Sequence, residues 1–217
     1  MTRWDAAHRD GCDPMVGGQN MTDDSGQSNS RSEADEPIVV AHAASEARGK
    51  SSLCACVTLR PLAKGDEHAL LRIHRTPEVL RWWDEPDGSF PWDEPQSTRL
   101  TIEFDGVVAG LIQYWEEPEP KYRHAGIDLF IDPALHGRGI GTEAVRRVVR
   151  LLIDGCAHHR ITIDPAVANV AAIRAYEKVG FRPVGVMRCS ERDVGGEGWH
   201  DSLLMELLAG EERDSDG

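Results

Sequence analysis

Hydrophobic and polar positions recur along residues 57–208 with periods that define one element after another. "VTLRPL", from Val57, alternates with period two and predicts a short strand. In "KGDEHALLRIHR", Ala69, Leu70 and Ile73 fall at helical spacing, with Asp66 placed to cap the helix. Pro77 interrupts that helix, and a second short one carries Val79, Leu80 and Trp83. In "RLTIEFDGVVAGLIQYW" two apolar runs flank Asp105-Gly106, the kind of dipeptide a type I′ turn requires, so a hairpin is predicted. "AGIDLFID" reads as a strand that Pro133 ends. "TEAVRRVVRLLID" sets Ala144, Val145, Val148, Val149 and Leu152 on one helical face and Arg146, Arg147 and Arg150 on the other. "RITID" is a strand, and "NVAAIRAYEKVGF" is a helix stopped by Gly180. "PVGVMR" and "SLLMELL" form two final strands around a Gly-rich loop. The predicted order is β-α-α-β-β-β-α-β-α-β-β, an α+β arrangement.

The flanks read differently. "GGQNMTDDSGQSNSRSEADEP" has no periodicity and too little apolar surface to offset its ordering entropy. Residues 1–55 are therefore expected to be a disordered tail, residues 56–209 the domain, and residues 210–217 a second disordered end.

Charge narrows the partners. With 24 Lys+Arg against 37 Asp+Glu, the net charge is −13. That disfavours nucleic-acid phosphates and anionic membranes and suits a cationic substrate, although acidic surfaces also serve solubility. Five cysteines without metal-ligand spacing point to a reduced, cytoplasmic compartment and no structural metal. No apolar run approaches a membrane span, and residues 1–30 lack a signal-peptide core.

"LHGRGIG" (135–141) lies between a strand and a helix. Glycines at a helix N-terminus let unpaired backbone amides approach a phosphate, but they also serve a plain tight turn. The Walker sequence lacks its Lys-Ser/Thr here. The dinucleotide fingerprint belongs after the first strand of a parallel βαβ unit, whereas this loop follows a hairpin. Among phosphate ligands, an acyl-CoA pyrophosphate is left.

"HGRGIG", followed by an amphipathic helix, a strand and "NVAAIRAYEKVGF", resembles the acetyl-CoA-binding signature of the GNAT N-acetyltransferase superfamily. The family loop Q/R-x-x-G-x-G/A is met by His136, Gly137, Arg138, Gly139, Ile140 and Gly141, with His136 where Gln or Arg is usual. The second motif is matched by Asn169, Ala172, Tyr176, Lys178, Gly180 and Phe181. Within the superfamily, "VLRWWDEP", "GID" and "IDPAVANVAAIRAYEKVGF" look like aminoglycoside 6′-N-acetyltransferases.

The resemblance implies a GNAT fold: a mixed, mostly antiparallel central sheet with helices on both faces. It implies acetyl-CoA as cofactor. The backbone of Leu129, Phe130 and Ile131 would pair with the pantetheine arm. The loop from His136 through Thr142 would hold the pyrophosphate, and Asn169, Ala172, Tyr176 and Lys178 would lie along the cofactor. By matching positions, Trp82, Trp83, Asp128 and Asp164 would line the acceptor site of an aminoglycoside. The acidic loops add Asp84, Glu85, Glu116 and Glu117 beside Trp115, and the C-terminal hairpin adds Asp201. Each of those runs can equally be a solvated loop. The implied partner is a small polycationic amine, met by a monomer or a homodimer. Other cationic amines also fit: a polyamine, an amino-sugar metabolite, or a protein N-terminus or lysine.

Amide formation from a thioester needs a neutral amine and a proton for the leaving thiolate, but no enzyme nucleophile. Asp128 is the candidate base. In "AGIDLFID" it alternates away from Ile127, Leu129 and Ile131, which leaves either the cleft or an outward-facing carboxylate. Tyr176 is the candidate acid, and its spacing with Ala172 and Ile173 also fits a core tyrosine. Asn169 can act as the helix N-cap, and Asp164 can simply start the Asp164-Pro165 turn.

Overall fold

A computed structural model describes residues 56–196 and 198–211. The predicted tail, residues 1–55, and residues 212–217 of the predicted C-terminal end lie outside them. The strands are β1 (Val57–Pro61), β2 (Thr98–Phe104), β3 (Val107–Glu116), β4 (Ala125–Ile131), β5 (Arg160–Ile163), β6 (Arg182–Arg192) and β7 (Trp199–Leu208). They form one sheet in the order β1-β2-β3-β4-β5-β7-β6. The helices are α1 (Glu67–His74), α2 (Pro77–Leu80), α3 (Ile140–Arg150) and α4 (Val170–Val179).

The predicted hairpin is β2–β3, with Asp105 at φ 51° and Gly106 at φ 78°, both positive as a type I′ turn demands. Every neighbouring strand pair is antiparallel except β4–β5. β4 pairs with β3 along its whole length, from Ala125↔Glu116 to Ile131↔Gly110. With β5 it pairs only at Ala125↔Ile161 and Gly126↔Thr162. Beyond β5 the chain follows β7 instead: Val167 N–H donates to Asp201 O at 2.9 Å, and Leu203 N–H to Pro165 O at 2.8 Å. The sheet therefore splits into two arms, and a wedge opens beside Ile127–Ile131.

Strand alternation gives the two sheet faces different cores. On one, Ile102, Ile112, Ile127, Ile161, Met205 and Leu207 pack under the apolar stripe of α3 and under Tyr176 and Val179 of α4. On the other, Leu111 and Phe130 meet Leu70, Ile73, Val79 and Phe90, which belong to α1, α2 and the loop after them.

Three local expectations change. Asp66 occupies the N-cap position, yet its carboxylate turns to the Arg60 guanidinium (2.6 and 2.8 Å), Thr101 Oγ1 (2.8 Å) and Ala63 N–H (3.0 Å). The bond from Arg60 leads in holding that carboxyl well below the usual range. Arg146 is buried at the margin of the α3 stripe and pairs with Glu143 at 3.0 Å, because a long aliphatic stem can be covered while its head stays paired. The predicted long helix ends as α at Arg150 and closes with a π turn over Leu151–Gly155. No helix among the described residues is long and apolar enough to cross a membrane.

Candidate active site

The glycine loop lies at the open end of the wedge. Gly137 (φ 76°) and Gly139 (φ 78°) adopt left-handed backbone, and a Cβ at either would meet nothing within 4 Å. Glycine is needed there for conformation, and the outer side of the loop stays open. Gly139 caps α3 without any side chain to compete for its amides. The helical ladder begins with Glu143 N–H donating to Gly139 O at 3.0 Å. The N–H groups of Ile140, Gly141 and Thr142 precede that bond and lie where a helix end attracts anions.

A Cβ on Gly141 would lie 3.6 Å from Ile131 and 3.9 Å from Leu129 side-chain atoms, so the first turn of α3 adjoins the end of β4. His136 Nε2 lies 3.2 Å from Ile131 O, tying the loop to that strand. Arg138 holds its guanidinium 4.8 Å from the Phe104 ring centroid. The backbone of Leu129, Phe130 and Ile131 is paired with β3 and has no strand beside it on the wedge side among the described residues. An amide-bearing arm can add there like a strand, with its phosphates at the loop. These residues fit a coenzyme A-type ligand.

Asp128 stands on the β4 face that also carries Gly126 and Phe130, opposite the larger core. Burial pushes its carboxyl up to about 7, and the carboxylates of Asp164, Glu191 and Glu94 push it the same way. Asp164, just past β5, is also raised, by burial and then by Glu191. Tyr176 on α4 is buried, and its phenol is pushed well above its ordinary value by burial and by the charges of Asp128 and Asp164. Three predicted residues from three elements thus share one electrostatic environment. Asn169 caps α4, its Oδ1 accepting from Ala172 N–H at 3.2 Å. Lys178 is exposed in the last turn of α4.

Trp82 lines an open cleft of about 860 Å³ with Arg81, Ala166–Ala168, Asp193, Trp199, His200 and Asp201. The Arg81 guanidinium covers the Trp82 ring at 4.7 Å. His200 sits between Glu191 (3.3 Å) and Asp193 (3.1 Å), and Asp201 Oδ1 accepts from Cys189 N–H at 2.8 Å. Trp83 goes elsewhere: its ring meets His74 and Phe130 edge-on at 5.7 and 5.2 Å and completes the smaller core. Asp84 and Glu85 are exposed in the loop that follows. The Trp115 indole lies over Gly126, where any Cβ would come within 2.3 Å of it.

Glu116 and Glu117 depart from expectation. Strand alternation turns Glu116 to the face opposite Trp115, where it binds the buried His158 Nε2. Glu117 accepts from Glu119 N–H at 3.0 Å inside its own turn, at the end of β4 away from the glycine loop. Sequence reasoning missed Glu191, Arg99 and Gln113. Glu94 was visible in an acidic run beside Trp92. Gln113 could have been found by aligning β3 against β4, since it is Asp128's cross-strand partner.

The family model for the Acetyltransferase (GNAT) family matches residues 58–181. The chain belongs to that family, whose acyl donor is acetyl-CoA. Aminoglycoside N(6′)-acetyltransferase type 1 of Klebsiella pneumoniae is 41% identical over 76 residues, 34% of this chain and 37% of that protein. The chain thus spans little more than a third of that relative's length. Spermidine N(1)-acetyltransferase of Escherichia coli is 27% identical over 139 residues, 59% of this chain and 74% of the relative. Among solved structures, aminoglycoside acetyltransferase AAC(6′)-Ib in complex with coenzyme A and kanamycin is similar at a TM-score of 0.59 and 25% identity, covering 71% of this chain and 95% of that one.

Proposed function

We propose that this protein is an acetyl-CoA-dependent N-acetyltransferase acting on the 6′-amine of an aminoglycoside by direct transfer in a ternary complex. The observation that carries the reading is Asp128. It is a carboxyl raised to about 7, beside the wedge that suits an acyl-CoA arm and on the sheet face that bears the aromatic and acidic groups. Bound acetyl-CoA supplies an activated acetyl thioester. The amides of Ile140, Gly141 and Thr142 would hold its phosphates, and the backbone of Leu129–Ile131 would align its arm. Asp128, ionised above about pH 7, removes a proton from the incoming ammonium and leaves a neutral nucleophile. Tyr176 Oη, kept protonated, would donate a hydrogen bond to the thiolate released when the amine bonds to the acetyl carbon and the C–S bond breaks. Asp193 and Asp201 offer charge to the rest of a polycationic acceptor, whose ammonium groups would displace the Arg81 and Arg192 guanidinium groups from the Trp82 and Trp199 rings.

The aminoglycoside relatives favour a sugar acceptor. The spermidine enzyme, matched over more of the chain, favours a second reading with a polyamine. Thiol release from acetyl-CoA with kanamycin, its analogue lacking the 6′-amine, and spermidine separates them. Turnover of kanamycin alone is expected. Turnover of spermidine alone replaces the first reading with the second.

A further inference from the structure

Arg99, on β2, is 8% exposed on the same sheet face as Asp128. A guanidinium buried this deeply is costly unless its donors are met. Its Nε donates to Gln113 Oε1 at 2.8 Å and Nη1 to Pro91 O at 2.7 Å. Nη1 also pairs with Asp93, and Nη2 stands 3.4 Å from Glu94. The guanidinium lies 5.5 Å from the Phe90 ring centroid. All these partners except Gln113 belong to residues 90–94, in the loop between α2 and β2. Gln113 is the direct cross-strand neighbour of Asp128. One cation therefore joins the acidic loop to the strand beside the candidate base.

We propose that Arg99 is a positioning residue for the acceptor amine, clamping residues 90–94 beside β3 and β4 and offsetting the two carboxylates it holds there. The inference rests on the reading of Asp128 as the base. Asp128 shares its electrostatic surroundings with Asp164 from the end of β5, Glu191 from β6, Glu94 from the clamped loop and Tyr176 from α4. Glu191 is met by His200, and Glu94 by Arg99. Without the guanidinium, the charge of Glu94 acts on Asp128 unopposed, which favours its protonated form. A lysine would restore the charge but not the fork, since one ammonium cannot reach four acceptors spread around a planar group.

The test compares Arg99→Met, Arg99→Lys and the double variant Asp93→Asn/Glu94→Gln with the unaltered chain. The Asp128 carboxyl is titrated by carbon-13 NMR, with its signal assigned through Asp128→Asn. Steady-state kinetics are run against pH with kanamycin and with spermidine. Arg99→Met is expected to move the Asp128 midpoint up by about half a pH unit, as one partly screened charge does. It should also raise KM for the amine about tenfold with KM for acetyl-CoA nearly unchanged. Arg99→Lys should keep the midpoint and still raise the amine KM, and the double variant should move the midpoint down. If Arg99→Met does not fold, the other two decide the matter. An unmoved midpoint in Arg99→Met and the double variant, or equal losses toward both substrates, overturns the role of Arg99. Absence of turnover with both amines overturns the functional reading instead, and the NMR midpoints still decide the clamp.

Discussion

Asp66, at the start of α1, and Asp128, on β4, both meet the same sheet, and their surroundings drive them in opposite directions. Asp66 receives a two-pronged guanidinium, a hydroxyl and a backbone N–H, so its charge is stabilised and its carboxyl stays far below the ordinary range. Asp128 is half-buried among other acids, and no arginine or lysine among the described residues pairs with it, so its carboxyl rises to about 7. One carboxylate fixes α1 to the sheet. The other is left electrostatically unsatisfied at the point where the strands part. The same contrast holds between whole faces. The face under α3 and α4 is an apolar stripe against aliphatic strands, whereas the other carries paired charges around a small aromatic cluster. The packed face carries the larger core, and on the other face burial, then neighbouring carboxylates, raise the proton affinity of Asp128.

The strongest expected effect separates the two aspartates. Asp128→Asn should lower kcat/KM at pH 8 by about 10²–10⁴-fold, the usual worth of a general base. The same change should raise stability at that pH. An Asp raised in the folded state binds its proton more tightly there than in the unfolded chain. The destabilisation therefore begins above the unfolded value of 3.8, grows up to about pH 7 and is constant beyond. Three pH units correspond to about 4 kcal/mol, and solvent at the half-buried group brings this to about 1–3 kcal/mol. Asp66→Asn should do the reverse. Its stabilisation is present above the ordinary Asp value and is lost on acidification, so the variant loses stability at neutral pH and little under strongly acidic conditions. Thermal melts of both variants from pH 3 to 9 check the pair. Two curves of the same sign would remove the contrast.

The next effect sharpens the comparison of faces. Leu152, in the π turn that closes α3, is fully buried in the larger core. Leu152→Ala should cost about 2–4 kcal/mol in denaturant unfolding. The pH at which kcat/KM reaches half its maximum should not move, because no titratable group of the wedge loses a partner. A shifted acid limb would show that the apolar face tunes Asp128 after all.

Much of this was legible in the sequence because local rules operate where the fold is regular. Asp105-Gly106 dictated its turn, the α3 stripe its buried face, and Asn169 its cap, each through backbone geometry within a few residues. The glycine loop was legible for the same reason. Long-range pairings were not. Trp83 and Trp82 are adjacent with the same chemistry, and which of them reaches the cleft depends on Phe130 and His74, from β4 and α1. Glu116 was grouped with Glu117 and Trp115 by proximity along the chain, while strand alternation sends it to His158. Glu191 gave no local signal, because the pattern ends the strand "PVGVMR" at Arg188 and leaves Glu191 to the loop, whereas β6 runs on to Arg192. It became relevant only in the folded chain, where its charge acts on Asp128 from the other sheet arm.

The smallest effect concerns the junction of the two faces. Gly139 starts α3, which belongs to the packed face, and its left-handed backbone leaves the first helical amides without a competing side chain. Gly139→Ala meets no steric obstacle, so its whole cost is the positive φ, about 1 kcal/mol. The helix can recover that energy by relaxing its first turn, which would turn the amides of Ile140 and Gly141 away from the phosphates. KM for acetyl-CoA should then rise about threefold to tenfold, with the amine KM and the acid limb unchanged. Competition by coenzyme A should weaken by the same factor, since on the proposed reading the loop would hold phosphates common to both. A rise in the amine KM instead would mean that the loop positions the acceptor, and that the division between a face that holds and a face that tunes breaks down at its seam.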